Sequence, residues 1–206
     1  MQIKICGLTD VSEAEYLNRN HVDYAGFVLF YEKSKRNLTI EEAKPIMAAL
    51  DKRIKKVAVT VEPTAQQVRE AYEAGFDLIQ IHGKLQPGAL DVGIPILKAF
   101  NITDMDNYEY YQSCPQIVGY VFDAHEPGSG KAFDWNLLQT LPRDDKLFLL
   151  AGGLHAGNVA QAIACVRPDG VDVSSGVEYA DRKGKDPAKI DAFVKAVRDG
   201  SELSLA

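Results

Sequence analysis

The sequence predicts an α/β chain folded as a single (β/α)8 barrel over residues 1–206, and three observations predict it. Eight short apolar runs alternate with seven or eight helical segments along the whole chain. The runs are nearly continuous in apolar residues, as in a parallel sheet covered on its outer face. The polar and glycine-rich signals stand where strands end: Cys6-Gly7, Asp123, Gly152-Gly153 and Ser174-Ser175-Gly176. A barrel gathers the C-terminal ends of its strands on one face, so these residues are expected to converge into one site. A doubly wound open sheet shares the alternation. Eight units, short connections and the paired Gly/Ser signals after the last two strands favour closure.

The first strand is Gln2–Gly7, with Thr9 or Asp10 able to cap the helix that follows. The second is Tyr24–Leu29, trailed by a polar loop, Tyr31–Asn37. Thr39-Ile40-Glu41-Glu42 has the spacing of a capping box and opens the second helix. The third strand is Lys56–Val61, and Pro63 opens the third helix at a permitted first-turn position. The fourth is Leu78–His82, with a short helix after Gln86-Pro87. The fifth is Ile94–Phe100 and the sixth Ile117–Asp123, whose loop His125–Phe133 carries Pro127-Gly128-Ser129-Gly130. The seventh is Leu147–Ala151 and the eighth Gly170–Ser174. The last helix runs from about Pro187 to Arg198, with a frayed tail beyond. No composition break marks a second domain.

Bulk properties exclude several classes of function. The formal net charge is −6 and no Lys/Arg run stands out, so no nucleic-acid partner is expected. No apolar run approaches the roughly 20 residues of a membrane span. The chain opens directly on a strand, so no leader is expected and a cytoplasmic location is. Cys6, Cys114 and Cys165 lack metal spacing and read as reduced thiols. His21, His125 and His155 form no cluster with suitable carboxylates or thiols, so no metal is expected.

The chemistry is carried by a few strand-end residues. Gly152, Gly153, Ser174, Ser175 and Gly176 would bring backbone N–H groups close to an anion, where barrels commonly hold a phosphate. Turn glycines and a helix cap are the plainer reading of each motif alone. Strand parity puts Lys4 and Cys6 on one face and Ile3 and Ile5 on the other. If that face is the interior, Lys4 biases Cys6 toward thiolate. A small buried hydrophobe is the competing role for an isolated cysteine. Asp123 at the mouth of an apolar barrel is expected to have a raised pKa, which suits a general acid; a cap or loop ion pair competes. Arg36 can hold a carboxylate bidentately, although a solvated loop charge beside Lys33 and Lys35 is the plainer reading. His82 and Asp172 are candidates to stand behind the reacting groups, with structural roles as the alternative.

These residues resemble the phosphoribosylanthranilate isomerases of tryptophan biosynthesis. The resemblance runs from Lys4-Ile5-Cys6-Gly7-Leu8-Thr9 to Val171-Asp172-Val173-Ser174-Ser175-Gly176-Val177-Glu178. Between them lie Ser34-Lys35-Arg36, Gln80-Ile81-His82-Gly83, Phe122-Asp123, Gly128-Ser129-Gly130-Lys131-Ala132-Phe133-Asp134-Trp135 and Ala151-Gly152-Gly153-Leu154. The resemblance implies Cys6 as general base, Asp123 as general acid and Arg36 as anchor of the anthranilate carboxylate. It also implies a phosphate cradle at Gly153 and Ser175-Gly176. The reaction would be an Amadori rearrangement without a cofactor, on a phosphorylated small molecule, by a monomer or homodimer. Thr60 and Glu62 depart from the family's aromatic and Asn in and after the third strand, and Glu62 is expected to narrow or repel part of the pocket. The aldose–ketose isomerase of histidine biosynthesis resembles the chain less, because it has an Asp where Cys6 stands. A phosphate-binding barrel without catalysis is the third reading, and the presence of Cys6 and Asp123 argues against it.

Overall fold

The computed structural model describes residues 1–101, 105–123 and 134–203. Its strands are β1 (Gln2–Cys6), β2 (Tyr24–Leu29), β3 (Asn37–Leu38), β4 (Lys55–Val61), β5 (Leu78–His82), β6 (Ile96–Asn101), β7 (Ile117–Asp123), β8 (Leu147–Leu150) and β9 (Gly170–Val173). All pair in parallel in the order β1-β9-β8-β7-β6-β5-β4-β2, and a β1–β2 pairing closes the ring. The two-residue β3 rides on the end of β2 and adds no stave. The fold is the expected eight-stranded barrel.

Strand parity divides the side chains into two layers. Cys6, Val57, Val59, Leu97, Val121 and Leu149 pack together inside the barrel. Ile3, Ile5, Ile79, Ile81, Phe122 and Leu150 pack outward against the helices. Burial of each such aliphatic side chain contributes about 1.5–3 kcal/mol. The helices are α1 (Ser12–Asn20), α2 (Ile40–Ala49), α3 (Ala65–Glu73), α4 (Tyr108–Gln112), α5 (Val159–Val166) and α6 (Pro187–Leu203). Among the described residues the helical cover is shortest after β5, β6 and β7, where Ala89–Val92 and Trp135–Leu138 are single 3-10 turns and α4 has five residues. Rings fill that gap. Phe100, Tyr108, Tyr111, Tyr120, Phe122 and Phe148 form a continuous cluster, with Phe122 and Phe148 stacked at 4.3 Å. This packing fixes the end of β7 and therefore the position of Asp123.

Several boundaries differ from expectation for local reasons. The fifth barrel strand begins at Ile96 rather than Ile94, because Pro95 has no N–H to give to a ladder. Pro63 lies outside its helix: Thr64 caps α3 and Gln67 reaches back to the Thr64 N–H, a complete capping box. Thr39 and Glu42 form the expected box at α2. Of the two expected caps of α1, Asp10 accepts the Ser12 N–H through Oδ1 at 2.9 Å, and Val11 at the helix boundary makes no side-chain bond. The buried Glu13 carboxylate in turn accepts the Thr9 and Asp10 N–H groups at 2.6 and 3.2 Å. The helix expected after Gln86-Pro87 is a 3-10 turn, Ala89–Val92, and α6 continues past Arg198 to Leu203. The loop expected at His125–Phe133, with Gly128-Ser129-Gly130, lies outside the described residues except for its approach at Asp123. Among the described residues no helix is long and apolar enough to cross a membrane.

Candidate active site

A cavity of about 350 Å³ opens at the C-terminal ends of the strands, and Cys6, Arg36, His82, Asp123, Gly152, Gly153, Asp172, Ser174 and Ser175 all line it. Its size suits a small molecule. Of the catalytic and binding residues expected at the strand ends, Gly176 is absent from this lining. A Cβ there would lie 2.0 Å from the Leu154 carbonyl oxygen, so only glycine lets the loop after β9 meet the loop after β8.

Cys6 ends β1 on the interior side, as parity predicts. Lys4 lies one pleat below it, fully buried, and its Nζ donates to Asp172 Oδ2 at 2.8 Å. The register makes this pair, since Lys4 and Asp172 are direct partners across β1 and β9. Burial pulls the Lys4 ammonium toward neutrality, but the charges of Asp172 and then Cys6 outweigh it and raise its pKa. The expected bias of Cys6 toward thiolate is corrected in sign. Lys4 favours the thiolate, but burial is the larger effect and pushes the thiol pKa up. Asp123 ends β7, half-buried at the cavity.

Arg36 is not a solvated loop charge. Its side chain is 15% exposed, and Nε donates to Glu178 Oε1 at 2.5 Å. Glu178 also takes Lys35 Nζ at 2.9 Å and the buried Lys185 Nζ at 3.2 Å. Burial opposes its charge, yet Arg36, Lys185 and Lys35 hold its pKa down at about 2. Three cations on one carboxylate leave a local positive excess at the rim of an acidic protein. Lys185 Nζ also donates to the Ser174 carbonyl at 3.1 Å, and Ser174 Oγ donates to the Cys6 carbonyl at 2.9 Å. One network thus joins Arg36 to the loop after β9 and to the end of β1.

Gly152 and Gly153 both have positive φ, 85° and 65°, and turn the chain sharply after β8. Asn158 secures the turn: Nδ2 donates to the Gly153 carbonyl at 3.0 Å and Oδ1 accepts the His155 N–H at 2.8 Å. On the facing wall, Gln80 Nε2 donates to His82 Nε2 at 2.8 Å. Burial, then the charges of Lys4 and Lys98, push the His82 pKa down to about 3, so the ring is a neutral acceptor. Thr60 lines the cavity with its hydroxyl donated to the Gln80 carbonyl at 3.0 Å. Glu62 does not narrow the pocket as expected. It is exposed, and its carboxylate accepts the Lys84 N–H at 3.1 Å. Among the described residues no three His, Cys, Asp or Glu side chains group as metal ligands.

The model of the N-(5'-phosphoribosyl)anthranilate (PRA) isomerase family matches residues 3–196. The chain belongs to the PRA isomerase family. The isomerase of Pseudomonas putida is 41% identical over 203 residues, covering 95% of this chain and 96% of its own. The phosphoribosyl anthranilate isomerase of Thermotoga maritima superposes with a TM-score of 0.84 at 34% identity, covering 97% of this chain and 99% of its own. A further family structure holds reduced 1-(o-carboxyphenylamino)-1-deoxyribulose 5-phosphate; it matches with a TM-score of 0.81 at 32% identity, over 97% of this chain and 99% of its own.

The chain also has polar residues at its site to which the sequence reading gave no role. Lys185 and Glu178 are the clearest. They lie 7 residues apart and far from Arg36 in sequence, and only the fold brings them to it. Buried Gln80 in the interior of β5 is another. A polar residue within an otherwise apolar strand was the available signal for it.

Proposed function

We propose that Cys6 and Asp123 carry the isomerisation of N-(5'-phosphoribosyl)anthranilate in this chain. Asp123 gives its proton to the ribosyl ring oxygen. The C1–O bond breaks and the nitrogen lone pair forms the Schiff base. Cys6, as thiolate, removes the proton from C2, and that electron pair closes an enolamine. Tautomerisation then yields the 2-keto sugar amine. Protons move within one molecule and its two partners, so the reaction balances without an external oxidant or reductant. The loops at Gly152-Gly153 and Ser174-Ser175, packed together by Gly176, offer backbone N–H groups for the phosphate. Arg36, oriented through Nε by Glu178, presents its remaining N–H groups to the anthranilate carboxylate. The two ends hold the sugar between base and acid, and positioning of this kind supplies much of the rate. The reading assigns a cytoplasmic, single-domain enzyme acting as a monomer or homodimer.

One observation carries this reading: Cys6, Asp123, Arg36 and both phosphate-loop segments line the same cavity. Conversion of the anthranilate substrate by purified protein tests it. Turnover to the ketose amine is expected. Binding of phosphate without turnover would contradict it.

A further inference from the structure

We infer that Gln80 reads a hydroxyl group of the ligand's sugar, as a specificity-determining residue of the same cavity. The inference rests on the proposed substrate and adds a recognition element to it. Gln80 stands in the middle of β5 on the interior face, 2% exposed, and lines the cavity. Its Oε1 is buried and has no hydrogen-bond partner among the described residues. A buried acceptor left unpaired costs about 1–3 kcal/mol, so a site that keeps one needs a reason.

No described group supplies the donor in this structure. Interior neighbours of the strand, Val59, Leu78 and Leu97, are apolar. The Thr60 hydroxyl is committed to the Gln80 backbone carbonyl. In this structure the Gln80 amide nitrogen stands toward the imidazole, 2.8 Å from His82 Nε2. The neutral ring therefore acts as an orienting group, and Oε1 is the free end of the amide. What satisfies a lone amide oxygen in this wall is an O–H or N–H from the occupant. Of the parts of the proposed ligand, the carboxylate and phosphate carry only acceptors at neutral pH. The anilino N–H bonds internally to its ortho carboxylate, so the sugar hydroxyls are the remaining donors, and the sugar lies between Arg36 and the phosphate loops.

The test combines a variant with altered ligands. Affinity for the reduced product, reduced 1-(o-carboxyphenylamino)-1-deoxyribulose 5-phosphate, is measured by calorimetry for wild type and Gln80→Leu. Analogues lacking each sugar hydroxyl in turn are measured beside it. In wild type, one deoxy analogue should bind about 5- to 10-fold more weakly, the size of one hydrogen bond. Gln80→Leu should weaken the full ligand by a similar factor and bind that deoxy analogue no more weakly than wild type does. Its melting temperature should fall modestly, because His82 Nε2 loses its donor while the unpaired Oε1 is also removed. Wild-type indifference to every hydroxyl would overturn the inference, and needs no variant to fold. So would equal losses for all analogues in Gln80→Leu, which would mark a structural effect. If wild type neither turns over the anthranilate substrate nor binds the reduced product, the proposed function itself fails. Turnover with indifferent hydroxyls would overturn the Gln80 role alone.

Discussion

At Cys6 two effects of opposite sign meet. The Lys4 ammonium below it favours the thiolate, while the apolar barrel wall favours the thiol, and the wall prevails. The base is then strong but a minority species at neutral pH. The thiolate absorbance of the free protein, taken as a difference from Cys6→Ser, should therefore titrate above the ordinary thiol range. A midpoint well below it would show that Lys4 dominates. Arg36 acts on a group that does not react, so Arg36→Ala should raise KM roughly 10- to 100-fold, as loss of a charge-assisted hydrogen-bond pair does, and leave kcat within a few-fold. A collapsed kcat at unchanged KM would assign it a different role. Residue types were informative here only at strand ends. Cys6, Asp123 and the glycines stood out because they broke apolar runs. Arg36 stood in a loop among other cations, and nothing local marked it as held by Glu178.

Among elements, the loops after β1 and β9 are tied together by one buried carboxylate. Glu13 accepts the Thr9 and Asp10 N–H groups, and across 172 residues the Lys185 N–H at 2.7 Å. It adds to the Asp10 cap of α1 and also sets the backbone that carries the Lys185 ammonium toward Glu178. Glu13→Ala would leave these N–H groups unpaired and should cost at least about 2 kcal/mol, read as a lower urea midpoint at constant slope. Glu13→Gln, which keeps one acceptor, should recover part of the loss. An unchanged midpoint in Glu13→Ala would mean that the clip contributes nothing. Elements were legible where the signal is local: the Thr39 box at α2 depends on residues three apart. They were misjudged where two local signals compete, as with Pro63 and Thr64 at α3. The hydroxyl cap with its Gln67 partner fixes the start, and proline is left outside.

For the molecule as a whole, closure converts strand-end position into proximity. Parity along β1, together with the register to β9, places Lys4 against Asp172 and Cys6 above them. Alternation of apolar strands and helices sufficed to expect that convergence. It could not supply the pairs that form between distant loops, because periodicity carries no information about which loop meets which. Lys185 with Glu178 and Ser174 is the example, and Glu62 turning to Lys84 instead of the pocket is another.

The account stands most directly on the assignment of Cys6 and Asp123 as base and acid. The decisive measurement is kcat for Cys6→Ser and Asp123→Asn beside their affinity for the reduced product. Each variant keeps shape and the binding groups but removes one proton-transfer partner. A fall in kcat of about 10²–10⁴-fold, with affinity within a few-fold of wild type, is the predicted result. Near-normal turnover in Cys6→Ser would contradict it, leaving the cysteine as packing in the barrel wall.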